Sequence, residues 1–115
     1  MNNITGNTKE AEKNYREALA KFEKFEDKRR IAETRHDLGM LFTKIGDYKS
    51  ALSQFNISIK ESSKDKNLLA LAISYLGKAY IYTEMNELNL ATDFIEKGVE
   101  ISSHLNDRLT IADVY

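Results

Sequence analysis

Apolar residues recur along most of this chain at intervals of three and four positions, and they do not alternate with polar ones. Two stretches show the pattern with matching residues: Ala51, Phe55 and Ile59 in one, Ala91, Ile95 and Val99 in the other. Such spacing places side chains on one face of a helix. It predicts helices over about residues 8–25, 28–44, 48–63, 68–85 and 88–103, with a further helix beginning near residue 108.

Polar turn and capping residues separate these predicted helices, at the segments FED, IGD, SSKDK, MNE and SSHLND. Asp27, Asn67 and Asp107 each stand just before a helical pattern, where a side-chain oxygen accepts hydrogen bonds from free amide groups. Gly46 suits a tight turn, and Asp47 is the predicted cap of the helix that follows it. Because the linkers are short, we expect neighbouring helices to pack antiparallel.

The chain also repeats itself at an interval of 40 residues, without a gap. The superposed sets are Gly6, Gly46 and Asn86; Ala11, Ala51 and Ala91; Tyr15, Phe55 and Ile95; and Leu19, Ile59 and Val99. A fixed interval of this size is typical of stacked helix pairs, in which each repeat packs on its neighbour. We name the first helix of each pair A-type and the second B-type.

The predicted organisation is one all-α domain over residues 1–115. It comprises the B-type helix of a partial repeat (1–27), two repeats (28–66 and 67–106) and the start of another (107–115). Because the terminal repeats are incomplete, we expect either a piece of a longer array or a homodimer formed through the exposed repeat ends.

The composition describes a folded protein with no strong charge. Of the 115 residues, 42% are hydrophobic and 30% are charged, and the formal net charge is −1. We therefore expect no nucleic-acid partner and no membrane partner, and we expect a soluble cytoplasmic protein. The absence of cysteine excludes disulfides, thiol nucleophiles and zinc sites built from thiolates.

No catalytic, cofactor-binding or metal-binding motif stands out. The segment KIGDY lacks the glycine-rich run and the Lys-Ser/Thr pair of a phosphate loop. His36 and His104 have no second ligand three or four positions away, so we expect surface roles for both. The basic cluster at residues 28–30 follows two acidic residues and fits a solvated helix start. These observations predict a protein that is not an enzyme and needs no cofactor.

The residues Leu38-Gly39, Phe42, Gly46-Asp47-Tyr48, Ala51 and Phe55 together resemble the tetratricopeptide repeat signature. The resemblance implies a right-handed α-solenoid of antiparallel helix pairs, in which small residues let two helices approach and aromatic residues fill the space beside them. The interval is 40 rather than about 34 residues, which is similar to lengthened repeats of bacterial signalling and regulatory proteins. The family's usual function is protein–protein interaction.

The resemblance also implies a partner-binding groove on the concave face formed by the A-type helices. The positions on that face are Glu33, His36, Asp37, Met40 and Lys44 in the first repeat and Ile73, Leu76, Tyr80 and Glu84 in the second. Chaperone-binding members of the family hold a C-terminal carboxylate with a Lys/Asn/Arg clamp. Because these positions lack that clamp, we do not expect this ligand. We expect a protein or peptide partner instead.

The predicted helix 68–85 carries a second apolar stripe beside its core stripe, formed by Leu69, Ile73, Leu76 and Tyr80. Neighbouring helices could bury it, or it could bind a partner helix or peptide. Two further interpretations remain open: a peptide-sensing domain of a bacterial transcription factor, phosphatase or sensor kinase, and a self-associating structural module.

Overall fold

A computed structural model describes the backbone of residues 6–114 and the side chains of residues 6–106. This part of the chain contains five α-helices and no β-strand. They are α1 (Gly6–Lys24), α2 (Lys28–Lys44), α3 (Tyr48–Asp65), α4 (Leu68–Glu84) and α5 (Leu88–Val114). The predicted all-α class is confirmed. The predicted starts of α2, α3, α4 and α5 coincide with the observed ones.

The predicted end of the last helix pair is wrong. We expected a break at SSHLND and a new helix near residue 108, but α5 continues through this segment to Val114. Residues 99–115 contain neither glycine nor proline, so nothing in them removes a helical hydrogen bond or strongly favours a turn. Asp107, predicted as a helix cap, lies within α5, and its side chain is outside the described residues.

The four turns between helices share one hydrogen-bonded conformation. Each contains a residue with positive φ, and these residues are Glu26, Gly46, Lys66 and Asn86, spaced 20 apart. Each donates its amide N–H to the carbonyl three residues earlier, and the next residue donates to the carbonyl five residues earlier. The second bonds, from residues 27, 47, 67 and 87, measure 3.0, 2.9, 2.9 and 2.8 Å. This is the Schellman motif, which satisfies the last carbonyls of a helix.

The residue after each of the first three turns caps the next helix. Asp27 accepts a hydrogen bond from the amide of Arg30 at 3.2 Å, and Asn67 accepts one from Ala70 at 3.1 Å. Asp47 accepts one from Ser50, also at 3.2 Å. The predicted caps at residues 27, 47 and 67 are therefore confirmed. One residue in the left-handed region and one cap reverse the chain within three residues.

The helices form two compact units, residues 1–58 and residues 59–115, and α3 contributes to both. In the first unit, the core contains the fully buried Leu38, Ala51 and Phe55. A Cβ atom at Gly39 would lie 2.5 Å from Cε2 of Phe55. The absence of a side chain at this point of α2 therefore lets the Phe55 ring lie directly on the helix backbone, as the repeat signature implied.

A buried arginine lies beside this contact in the first unit. The Arg35 side chain donates a hydrogen bond to Oε1 of Gln54 at 3.3 Å, and its second terminal nitrogen lies 3.8 Å from a carboxylate oxygen of Glu23. Gln54 is also buried. A buried guanidinium is costly unless its donors are paired, so this group orients α2 against α1 and the first part of α3.

In the second unit, α4 and α5 pack antiparallel through small residues and one aromatic cluster. Ala72, Ala79 and Ala91 are buried. The ring of Phe94 lies parallel to Tyr82 at a centroid distance of 5.5 Å and to Tyr75 at 6.1 Å. Offset parallel rings at these distances add stabilisation beyond the burial of their area.

We expect Gly39→Ala to lower the free energy of unfolding by about 1–2 kcal/mol. The overpacking against Phe55 costs about 1–3 kcal/mol and outweighs a gain of up to about 1 kcal/mol in helix propensity. Urea unfolding would measure the change. Gly6→Ala is the matched control, since a Cβ there meets nothing within 4 Å. Equal stability of Gly39→Ala and wild type would contradict the proposed close contact.

We expect Lys66→Gly to raise the free energy of unfolding by about 0.5–1 kcal/mol, because glycine removes the strain of a side chain at the positive φ of 56°. Thermal unfolding would measure it. Lys60→Gly, an exposed position inside α3, is the control and should lower stability by about 1 kcal/mol. A loss of stability in both variants would show that the turn at residue 66 does not favour glycine.

Candidate functional site

The predicted site residues of α2 form a charged, partly exposed face. Glu33, Asp37 and Lys44 are exposed, and Met40 is half-buried. Nε of Arg29 lies 3.3 Å from Oε1 of Glu33, so part of this face is an ion pair. Such a pair on the surface contributes little stability. Nothing in this arrangement within the first unit favours an apolar partner.

His36, also in the predicted set, is half-committed to the core. Its ring meets the Phe55 ring edge to face, with centroids 5.7 Å apart and planes at 77°. Nδ1 lies 3.9 Å from a carboxylate oxygen of Asp37. His36 therefore helps to cover a buried aromatic ring and is only partly available to a partner.

The predicted site residues of α4 form an exposed apolar surface. We define the α4 stripe as Leu69, Ile73, Leu76 and Tyr80, whose exposed fractions are 58, 39, 39 and 47%. Glu84 is exposed one turn beyond Tyr80. The alternative that neighbouring helices bury the stripe is therefore wrong for this structure. The exposed apolar area lies along three turns of one helix, which is more than scattered surface residues provide.

The repeat relates the two faces position by position. A shift of 40 residues places Arg29, Glu33, His36 and Met40 of α2 on Leu69, Ile73, Leu76 and Tyr80 of α4. Three of the four positions in α2 carry charged or polar side chains, whereas all four positions in α4 are large and apolar or aromatic. The α4 stripe is thus a feature of one repeat, and the helix geometry common to both does not require it.

Leu76 has a second role that the sequence did not predict. A Cβ atom at Gly98 would lie 2.7 Å from Cδ2 and 2.8 Å from Cγ of Leu76. The leucine therefore rests on the bare backbone of α5 and joins the exposed face of α4 to that of α5. Gly98 itself is buried.

Apolar residues of α5 are exposed next to this contact. The exposed fractions of Leu88, Ile95 and Val99 are 58, 45 and 54%. The 40-residue match had grouped Ile95 with Phe55 and Val99 with Ile59 on a packing face, and Phe55 is fully buried. Sequence reasoning therefore missed this surface, because the repeat identifies equivalent positions but not which of them remain uncovered.

The other edge of the α4–α5 contact combines aromatic rings with lysines. Nζ of Lys78 lies 4.3 Å from the centroid of Phe94, and Nζ of Lys97 lies 5.9 Å from that of Tyr75. Burial lowers the pKa of Lys78 below the ordinary value of a lysine, whereas the ring face beside it favours the charged form. Burial is the larger effect, since Lys78 occupies the position at which the first repeat has the fully buried Leu38.

The two predicted halves of the groove belong to different compact units, α2 to residues 1–58 and α4 to residues 59–115. The prediction that they line one groove stays a prediction. Among the described residues, no three histidine or acidic side chains are placed to hold a metal ion. No helix of the described chain combines the length and apolar character needed to cross a bilayer.

The free energy of unfolding should rise with pH through the window between the lowered pKa of Lys78 in the folded chain and its ordinary pKa in the unfolded chain. Within that window the unfolded lysine binds more protons, which makes the slope positive. Urea unfolding of wild type and Lys78→Leu from about pH 8 to about pH 10.5 should show wild type gaining stability relative to the variant. Parallel pH profiles would refute the shift.

Comparison with known proteins identifies the repeat. A family model described as tetratricopeptide repeat matches residues 1–60, and a second model with the same description matches residues 72–104. No curated protein and no solved structure matches the chain. Repeats of this family are generally protein–protein interaction modules and are typically not enzymes. Because the first match spans more than half of the 115 residues, the chain belongs to the tetratricopeptide repeat family.

Proposed function

We propose that this chain is a protein–protein interaction module whose partner binds the α4 stripe. The partner is a peptide or helix of another protein, which covers Ile73, Leu76 and Tyr80 as central contacts. Polar side chains predicted for the same function, Glu84 in α4 and Glu33, Asp37 and Lys44 in α2, are proposed to contribute orientation more than affinity. A scaffold or signalling role in the cytoplasm is the setting that this function fits.

One observation supports the proposal above the others: four repeat positions that are mainly polar in α2 are all apolar or aromatic in α4. If the face needed only to remain in water, polar residues would be the favourable choice there. Fully burying one large apolar side chain contributes roughly 1.5–3 kcal/mol. Covering the exposed parts of four such side chains would therefore supply several kcal/mol toward binding.

The rigidity of the surface supports the same proposal. Leu76 is held against Gly98, and α4 is closed at its ends by the Asn67 cap and the turn at Asn86. A preformed surface loses little conformational entropy when a partner binds. Tyr80 combines a large ring with few rotatable bonds, and tyrosine is enriched among residues that dominate interface energies.

Affinity capture followed by binding to the purified partner would test the proposal. Wild type and Ile73→Asp/Tyr80→Asp would be immobilised and exposed to an extract of the source organism. A protein retained by wild type would then be purified and titrated calorimetrically. We expect at least about a 100-fold loss of affinity in the variant, because both side chains are central to the proposed interface.

Ser53→Asp/Asn56→Asp is the matched control, because it adds the same charge at two exposed positions of α3. It should change the affinity by less than about threefold, as expected for residues outside an interface. Circular dichroism and thermal unfolding would establish that all three proteins are folded. Equal binding by wild type and the α4 variant would exclude the α4 stripe as the docking surface.

A further inference from the structure

The apolar surface of the second unit continues from α4 onto α5. Leu76 contacts the backbone at Gly98. Ile95 lies one turn before Gly98, and Val99 lies directly after it, so both flank the point of contact. Leu88 lies two turns before Ile95 on the same face. We define the α5 stripe as Leu88, Ile95 and Val99, all of them exposed.

The two stripes form the walls of a shallow groove whose floor is Leu76 on Gly98. Because Gly98 has no side chain, the groove is deepest where the two helices are closest. The α4 stripe spans residues 69–80, which corresponds to about 16 Å along a helix axis, or three turns. A groove with two apolar walls of this length fits the apolar face of one amphipathic helix.

The charges beside this groove are mainly acidic. Glu84 follows Tyr80 by one turn, Glu87 precedes Leu88, and Glu96 precedes Val99 by one turn, and all three are exposed. Lys78 and Lys97 lie over the rings of Phe94 and Tyr75, at the other edge of the helix pair. Lys66 stands at the far end, just before α4. The potential at the turn between α4 and α5 is therefore negative and complementary to a basic segment.

From these observations we infer that the occupant of the groove is a basic amphipathic helix of a partner protein, with its lysines or arginines over Glu84, Glu87 and Glu96. The inference rests on the proposed function and adds two elements to it. The B-type helix α5 takes part in binding, and the sign of the partner's charge is specified. An extended peptide would contact one stripe, whereas a helix contacts both.

A displayed library of helical peptides, with randomised residues on one face of a fixed helical scaffold, would test this inference. Selection on the wild-type chain should enrich sequences with apolar residues at i, i+3 or i+4, and i+7 and with a net positive charge. One enriched peptide would then be synthesised, labelled and titrated by fluorescence anisotropy. Enrichment of acidic sequences, or no enrichment, would overturn the inference.

Matched variants would assign the binding to the two stripes. We expect at least about a tenfold loss of affinity in Ile95→Ser/Val99→Ser, which leaves α4 unchanged, and in Ile73→Ser/Tyr80→Ser. Glu84→Lys/Glu96→Lys should also weaken binding about tenfold. Glu10→Lys/Glu17→Lys changes the charge equally at exposed positions of α1 and should have an effect of less than about threefold. Circular dichroism would check the fold of each variant.

The outcomes separate this inference from the proposed function. Loss of binding in Ile73→Ser/Tyr80→Ser with full binding in Ile95→Ser/Val99→Ser would retain the α4 stripe and overturn the role of α5. Full binding in both variants would overturn both proposals. Sedimentation equilibrium without peptide supplies a further test. A wild-type dimer that Ile95→Ser/Val99→Ser dissolves would mean that a second copy, and no basic partner helix, occupies the groove.

Discussion

Close approach of two helices at a residue without a side chain determines the packing in both units. In the first unit the bare position is Gly39 on an A-type helix, and Phe55 of the B-type helix fills it. In the second unit the roles are exchanged: Gly98 is on the B-type helix, and Leu76 of the A-type helix fills it. The same backbone arrangement thus hides a large B-type side chain in one unit and leaves B-type apolar residues exposed in the other.

The helix starts could be predicted because they depend on local chemistry. A cap such as Asn67 accepts a hydrogen bond from an amide three residues later, and this requirement is visible in the sequence. The end of α5 could not be predicted in the same way. Asn106 and Asp107 are turn-forming residue types, yet the helix continues through them. Residue type permits a turn there, whereas packing decides whether a helix reverses.

The candidate surface was predictable in part, for a related reason. The spacing of Leu69, Ile73, Leu76 and Tyr80 places them together on one face whatever surrounds the helix. Exposure is different, because it depends on which neighbours are present. Ile95 and Val99 match core positions of the first repeat, but they are half-exposed in the second unit. Likewise, Lys78 occupies the position of Leu38 and reaches an aromatic ring that no pattern along the chain reveals.

The turns with left-handed residues at 26, 46, 66 and 86 have a consequence for how such a chain can grow. Each turn is closed by its own backbone hydrogen bonds, so any two successive helices can be joined by it. A duplication of 20 residues would preserve the turn but would put an A-type face where a B-type face is required. A duplication of 40 preserves both. The gene can therefore lengthen without loss of fold only by whole helix pairs, although its backbone turns recur twice as often.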